Sequence, residues 1–271
     1  MPRAWQSSTG QGRRSNELSD HTNLLVLGSP RSGTTLLSAM LSCHPEIALL
    51  NEDLSGAFTR IFSKRFRGVK LCAPHQIEMR HTATTRAGDF SRGQIRRLTN
   101  IVRRAAGRPV PLGGFYKARH SIEDMRAMPE PLHVIGIVRS ADDVIASIMK
   151  RGRQKEETAR YRWVRLIQIL NELARVEDAD FALTLVRFDD LVAQPAETLT
   201  AVLRALQLDF DPRVMEGFKH TPQYQGRTGI DAQRAGGGLD DDLSQAVLRN
   251  DPELAAAYRR LHELALEPGK E

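Results

Sequence analysis

Strand-like and helix-like segments alternate along almost the whole chain, and the first strand ends in a glycine-rich turn that opens a helix. No internal repeat interrupts the alternation. These observations predict an α/β fold, with a mainly parallel central sheet and helices on both faces. The 271 residues suit one large domain of this kind or two small ones.

The first strand is NLLVLG, a continuous apolar run closed by Gly28, as strands buried on both faces read. TTLLSAMLSC is a helix stopped by His44-Pro45. EIALLNE is the second strand, DLSGAFTRIFSK a short helix and GVKLC a strand candidate. SRGQIRRLTNIVRRAA, from Ser91 to Ala106, is amphipathic, with Ile95, Leu98, Ile101 and Val102 on one helical face. PLGGFYK is a short strand candidate, and SIEDMRAM is a helix capped by Ser121 with Asp124 three residues on.

LHVIGIV is a strong buried strand, followed by the helix SADDVIASIMKRG. EETARYRWVRLIQILNELARV is the longest helix, and FALTLVRF the last strong strand. Pro195 opens the helix AETLTAVLRALQL. GRTGIDAQRAGGGLDDD reads as a long loop, because the closing helix DPELAAAYRRLHELA has nothing with which to form a second core. The expected organisation is therefore a disordered tail over residues 1–22 and a single domain over 23–271.

Composition bounds the function. With 41% hydrophobic and 27% charged residues the chain has an ordinary globular composition. A net charge of +6 suits an anionic ligand, but no basic run with interleaved aromatics points to nucleic acid. Cys43 and Cys72 are the only cysteines, so neither a disulfide framework nor a paired Cys-x-x-Cys metal site is expected. His75, His81, His120 and His133 show no ligand spacing, and no metal is expected. No run of 18 apolar residues suggests a membrane span. Met1–Asp20 has no apolar core and does not read as a secretory signal. A cytoplasmic location is expected.

The most informative stretch is LLVLGSPRSGTTLL, Leu24–Leu37. Gly28 and Gly33 have the spacing of a nucleotide-triphosphatase phosphate loop, yet Thr34 stands where that loop has its lysine. The loop's backbone N–H groups, the helix start behind it, the hydroxyls of Ser32, Thr34 and Thr35, and the guanidinium of Arg31 all favour a phosphate dianion. Ligands of open parallel sheets sit at the carboxyl ends of the strands. Arg139, after LHVIGIV, is expected at the same edge.

GSPRSGTTLL resembles the 5′-phosphosulfate-binding loop of the sulfotransferases that use 3′-phosphoadenylyl sulfate (PAPS). The resemblance implies that Arg31 contacts the 5′-phosphate and the bridging oxygen, as a binding and a catalytic residue. It also places Ser32, Gly33, Thr34 and Thr35 around the donor. It explains the missing lysine, since a sulfuryl group rather than a γ-phosphoryl group is transferred and no Mg²⁺ is needed. A second motif of this family is an arginine after a strand with a serine eight residues later, supplied here by Arg139 and Ser147 as contacts of the 3′-phosphate. The usual Arg-Asp-Pro-x-Asp is Arg139-Ser140-Ala141-Asp142-Asp143 here, so the Asp-Pro pair is lost. VRFDDLVAQPAETLTAVLRALQLDFDP resembles the strand-loop-helix that closes the family's domain. The likeness runs from Leu24 to about Met215.

His44-Pro45-Glu46-Ile47 follows the first helix as in the carbohydrate and tyrosyl-protein branches of the family, whose glutamate branch has its base just after this segment. That makes Glu52 the expected general base, with Asp53 as runner-up, and requires its pKa to be raised towards neutrality by partial burial. His44 reads as a helix-end residue. Lys70 and Lys117 compete for the place of a lysine near the transferred group. Arg227, with Arg234 behind it, is the late-loop candidate for the 3′-phosphate. Tyr161 and Trp163 of the longest helix, with the Ser91–Ala106 segment, are candidates to line the acceptor pocket. The expected partner is a hydroxyl-bearing sugar, small metabolite or tyrosyl group. A P-loop nucleotide kinase and a non-catalytic adenosine-phosphate-binding protein are the alternatives. The absence of Gly-Lys-Thr and of a strand-end aspartate for magnesium argues against the kinase.

Overall fold

The computed structural model describes residues 21–53, 57–80, 120–150, 155–221, 230 and 247–269. The tail over residues 1–20, the amphipathic segment Ser91–Ala106, the PLGGFYK strand candidate with Lys117, and both late-loop arginines lie outside the described residues.

Five strands form the central sheet: β1 (Thr22–Gly28), β2 (Ile47–Asn51), β3 (Phe66–Cys72), β6 (Leu132–Val138) and β7 (Phe181–Arg187). Their order is β2-β3-β1-β6-β7 and every pairing is parallel. The expected fold class is the observed one. Among the described residues the helices are α1 (Thr34–Leu41), α2 (Phe58–Ile61), α3 (Ile122–Arg126), α4 (Ala141–Met149), α5 (Glu156–Leu173), α6 (Phe188–Ala193), α7 (Pro195–Ala205) and α8 (Pro252–Leu264).

Side-chain alternation along β1 splits the core in two. Leu25 and Leu27 pack with residues of α4, α5 and α8, including Val144, Trp163, Leu170 and Tyr258. Leu24 and Val26 pack with Leu37 and Met40 of α1, Leu191 of α6 and Leu199 of α7. β1 is buried on both faces because it is central. The segment after α8 returns to the sheet edge, where Leu266 N–H donates to Leu185 O at 2.9 Å. That contact occupies part of the otherwise open side of β7.

The helix starts follow their local chemistry. Ser121 Oγ accepts from Asp124 N at 3.0 Å, the expected cap of α3, and Ser140 and Asp251 cap α4 and α8 in the same way. Pro195 occupies the first turn of α7.

Three features depart from the sequence pattern. A two-stranded parallel sheet pairs β4 (Ile77–Glu78) with β5 (His120–Ser121), strands too short to leave a periodic signal. The last strand ends at Arg187, and Phe188 begins α6 instead of closing β7. A 3-10 segment, Pro212–His220, packs on α1, where it buries Val214 and Phe218 against the core of that face.

Candidate active site

The sheet register brings the strand ends to one edge. Gly28 lies opposite Cys72, Asn51 opposite Lys70, and Val138 opposite Arg187. Immediately past these pairs stand the loop after β1, Glu52 and Arg139, all at the carboxyl edge where ligands of such sheets bind.

The loop after β1 is a tight turn. Ser32 N–H and Ser32 Oγ both donate to Ser29 O, at 3.1 and 2.8 Å. Arg31 and Gly33 have positive φ, 76° and 99°. Gly33 is required twice over, by that left-handed backbone and by space, since a Cβ there would lie 2.3 Å from Phe188 Cδ2. Gly28 is equally crowded, because its Cβ would meet Ser32 Oγ at 2.4 Å. Gly33 is also the N-cap of α1. Unlike the caps of α3, α4 and α8, it offers no side-chain acceptor, and no acidic residue occupies the first turn. A helix start without cap or acid leaves its N–H groups and dipole end for an external anion.

Arg31, Ser147 and Arg139 converge on this loop from three elements. Arg31 Nε donates to Ser147 Oγ at 3.0 Å, joining the loop to α4. Arg139 Nη1 donates to Arg31 O at 3.2 Å. Arg139 also pairs with Asp143 at 3.1 Å, and its guanidinium lies over the Phe188 ring, 4.0 Å from Cζ to centroid. Asp143, which survives from the altered family motif, therefore holds the arginine side chain. Trp163 Nε1 donates to Arg139 O at 2.9 Å. This corrects the expectation for Trp163: it is buried in the core and supports Arg139 from behind, whereas Tyr161 is exposed.

Glu52 directly follows β2. Its N–H donates to Lys70 O at 2.9 Å, extending the β2–β3 ladder by one residue, and its φ of 55° turns the chain away. Lys70 Nζ donates to Glu52 Oε1 at 2.9 Å. The lysine side chain is 2% exposed and the glutamate 38%, so a buried ammonium presents a half-exposed carboxylate. Lys70 Nζ also lies 3.9 Å from Cys72 Sγ, and Thr34 Oγ1 lies 3.9 Å from the same sulfur. The carboxylate–lysine pair is thus connected to the first turn of α1. Among the described residues three non-glycines have positive φ: Arg31, Glu52 and Gln207. Two of them are the residues singled out for catalysis, and strained backbone tends to gather at functional sites.

Ser32 and Thr34 are buried and Thr35 is half-buried at the helix start. His44 is structural: its Nδ1 accepts from Glu46 N at 3.2 Å, and its Nε2 lies 3.2 Å from Asp209 O. Lys117 and Arg227 lie outside the described residues. Among the described residues no cluster of three or more His, Cys, Asp or Glu side chains suits a metal ion. The Lys70–Glu52 contact and the Phe188 ring carry no sequence signal, because each depends on strand register.

A family model described as the Sulfotransferase family matches residues 23–212. The chain belongs to the sulfotransferase family. Family and fold make it a transferase of sulfuryl groups. The fold of this sulfotransferase is similar to that of the sulfotransferase domain from the Synechococcus PCC 7002 olefin synthase, with 18% identity, a TM-score of 0.51, and coverage of 88% of this chain and 94% of that one. The sulfotransferase domain from the curacin biosynthetic pathway aligns with 17% identity, a TM-score of 0.49, and coverage of 85% and 97%. Mouse sulfotransferase SULT7A1 complexed with PAP aligns with 10% identity, a TM-score of 0.45, and coverage of 91% and 90%. No curated protein matches the chain significantly. Among the described residues of the sulfotransferase, no helix is long and apolar enough to cross a membrane.

Proposed function

We propose that the chain transfers a sulfuryl group from PAPS to the hydroxyl of a sugar, small metabolite or tyrosyl group, in line, with Glu52 as general base. The observation that carries this reading is the meeting of Arg31, Ser147 and Arg139 at an uncapped helix start, linked through Cys72 to the Glu52–Lys70 pair.

The residues present suit such a donor. Two guanidinium groups, Arg31 and Arg139, suit a nucleotide that carries phosphates at its 3′ and 5′ positions, and the uncapped start of α1 suits the 5′-phosphate. When bound, PAPS supplies the sulfuryl group. The N–H groups at the start of α1, with the hydroxyls of Thr34 and Thr35, bind and orient the 5′-phosphate, while the Ser32 hydroxyl donates to Ser29 O and braces the turn. Arg31 offsets the negative charge that grows on the bridging oxygen. Arg139 and Ser147 hold the 3′-phosphate. Glu52 takes the proton of the acceptor hydroxyl as its oxygen attacks sulfur. Lys70 fixes the carboxylate through its hydrogen bond to Oε1. The glutamate base is the feature shared with the carbohydrate and tyrosyl-protein branches.

The test is a thermal-shift titration followed by a transfer assay. Adenosine 3′,5′-bisphosphate should raise Tm, since a ligand of the native state stabilises it by mass action. ATP with Mg²⁺ should do much less. Greater stabilisation by ATP at equal concentration would favour the kinase reading and reject this one. Release of adenosine 3′,5′-bisphosphate from PAPS in the presence of hydroxyl acceptors then separates an enzyme from a nucleotide-binding protein.

A further inference from the structure

Phe188 is the first residue of α6, directly after β7. Its ring is 5% exposed and touches two parts of the site that come from different strands. One is Gly33, the N-cap of α1, whose missing Cβ leaves the space that Phe188 Cδ2 approaches. The other is Arg139, whose Cζ lies 4.0 Å from the ring centroid.

Arg139 is held on several sides. Nη1 donates to Arg31 O at 3.2 Å, Nε donates to Asp143 Oδ2 at 3.3 Å, and the backbone O accepts from Trp163 Nε1. The N–H contacts, Nη2 to Asp143 at 3.1 Å among them, lie along the edge of the guanidinium, and none of them covers its face. The ring does so, since a cation over an aromatic face is attracted by the ring quadrupole, and more strongly where water is excluded. The guanidinium is thus held from its face as well as along its edge. A guanidinium already ordered in this way loses less freedom when it binds its ligand.

We propose that Phe188 is a positioning residue for the 3′-phosphate, acting through Arg139: it steadies the guanidinium from its face and so adds to the preference for the 3′-phosphorylated nucleotide. The proposal rests on the PAPS reading above.

The test measures affinity for adenosine 3′,5′-bisphosphate and for adenosine 5′-monophosphate by calorimetry. The proteins are the wild type, Phe188→Leu, Phe188→Met and Phe188→Tyr, each with and without Arg139→Ala. Leu and Met should weaken bisphosphate binding about tenfold and monophosphate binding less than about threefold. Tyr, which keeps the aromatic face, should retain both affinities. In the Arg139→Ala background the Leu and Met changes should cause no further loss. Equal losses for both nucleotides, an undiminished loss without Arg139, or no loss at all overturns the proposal. If Leu and Met do not fold, phenylalanines carrying more and more ring fluorines keep the shape and deplete the face. Bisphosphate affinity should then fall stepwise, and a flat series overturns the proposal. A wild type that binds neither nucleotide rejects the PAPS reading itself, an outcome distinct from a variant that binds without discriminating.

Discussion

Lys70 Nζ donates to Glu52 Oε1 at 2.9 Å from a side chain only 2% exposed, so the carboxylate at the end of β2 is held by a charge buried in β3. Register makes this contact. Asn51 pairs with Lys70, and Glu52 N–H continues the ladder onto Lys70 O before the backbone turns. The carboxylate is therefore fixed in place yet still reachable, as a general base must be.

Glu52→Gln should leave the fold intact, because the amide oxygen still accepts from Lys70. Proton acceptance is lost, so kcat should fall at least about 10²-fold while nucleotide affinity stays near normal. Steady-state kinetics with a calorimetric titration check both. Near-normal turnover would remove Glu52 from the mechanism and turn attention to Asp53.

Lys70→Met keeps the volume of the side chain and removes the charge. The carboxylate then loses its anchor, and kcat should drop roughly tenfold or more, as expected when a charge-assisted hydrogen bond worth about 1.5–3 kcal/mol is lost. Folding stability should change little, since the carboxylate left without its partner is 38% exposed and is solvated. Turnover equal to wild type would show that the pair has no part in the reaction.

Arg139→Ala should weaken adenosine 3′,5′-bisphosphate binding by roughly 1.5–3 kcal/mol, and Ser147→Ala by about 1 kcal/mol. Binding of the nucleotide without the 3′-phosphate should change far less. If both nucleotides lose equally, these residues do not read the 3′-phosphate.

Gly33→Ala meets two obstacles: a φ of 99°, and a Cβ 2.3 Å from Phe188 Cδ2. Backbone strain of this kind costs about 1–3 kcal/mol, and the displaced turn no longer presents its N–H groups. Lower stability together with lost bisphosphate binding is expected from chemical denaturation and calorimetry. Wild-type binding in this variant would contradict the role given to the turn.

Stability should fall on mild acidification. Burial lowers the His133 pKa from 6.5 to about 4, and Nε2 lies 2.7 Å from Thr184 Oγ1. Between those values the unfolded chain binds a proton that the folded chain refuses. The contribution of neutral His133 is thus complete above pH 6.5 and is lost towards pH 4, roughly 3 kcal/mol in all. His262 is lowered as well, first by burial and then by Arg187, and adds in the same direction. Urea midpoints measured between pH 7 and 4.5 should show the decline, and His133→Gln should flatten it. An unchanged slope in that variant would assign the decline to other groups.

The sequence by itself determined the α/β class, the five main strands and the phosphate loop. These are written in local signals: continuous apolar runs, the cap residue Ser121, and the Gly28–Gly33 spacing with its hydroxyls. It also named Arg31, Ser147, Arg139 and Glu52 one by one. Only the tertiary structure decided which of them meet. Arg31 and Ser147 are 116 residues apart in sequence, Arg139 and Phe188 lie on different strand ends, and Trp163 turned from a pocket candidate into a buried support for Arg139. The β4–β5 pair and the start of α6 at Phe188 were hidden for the same reason. Strand order and register are set by the packing of both sheet faces at once, and a contact fixed by register leaves no periodicity in the chain on either side of it.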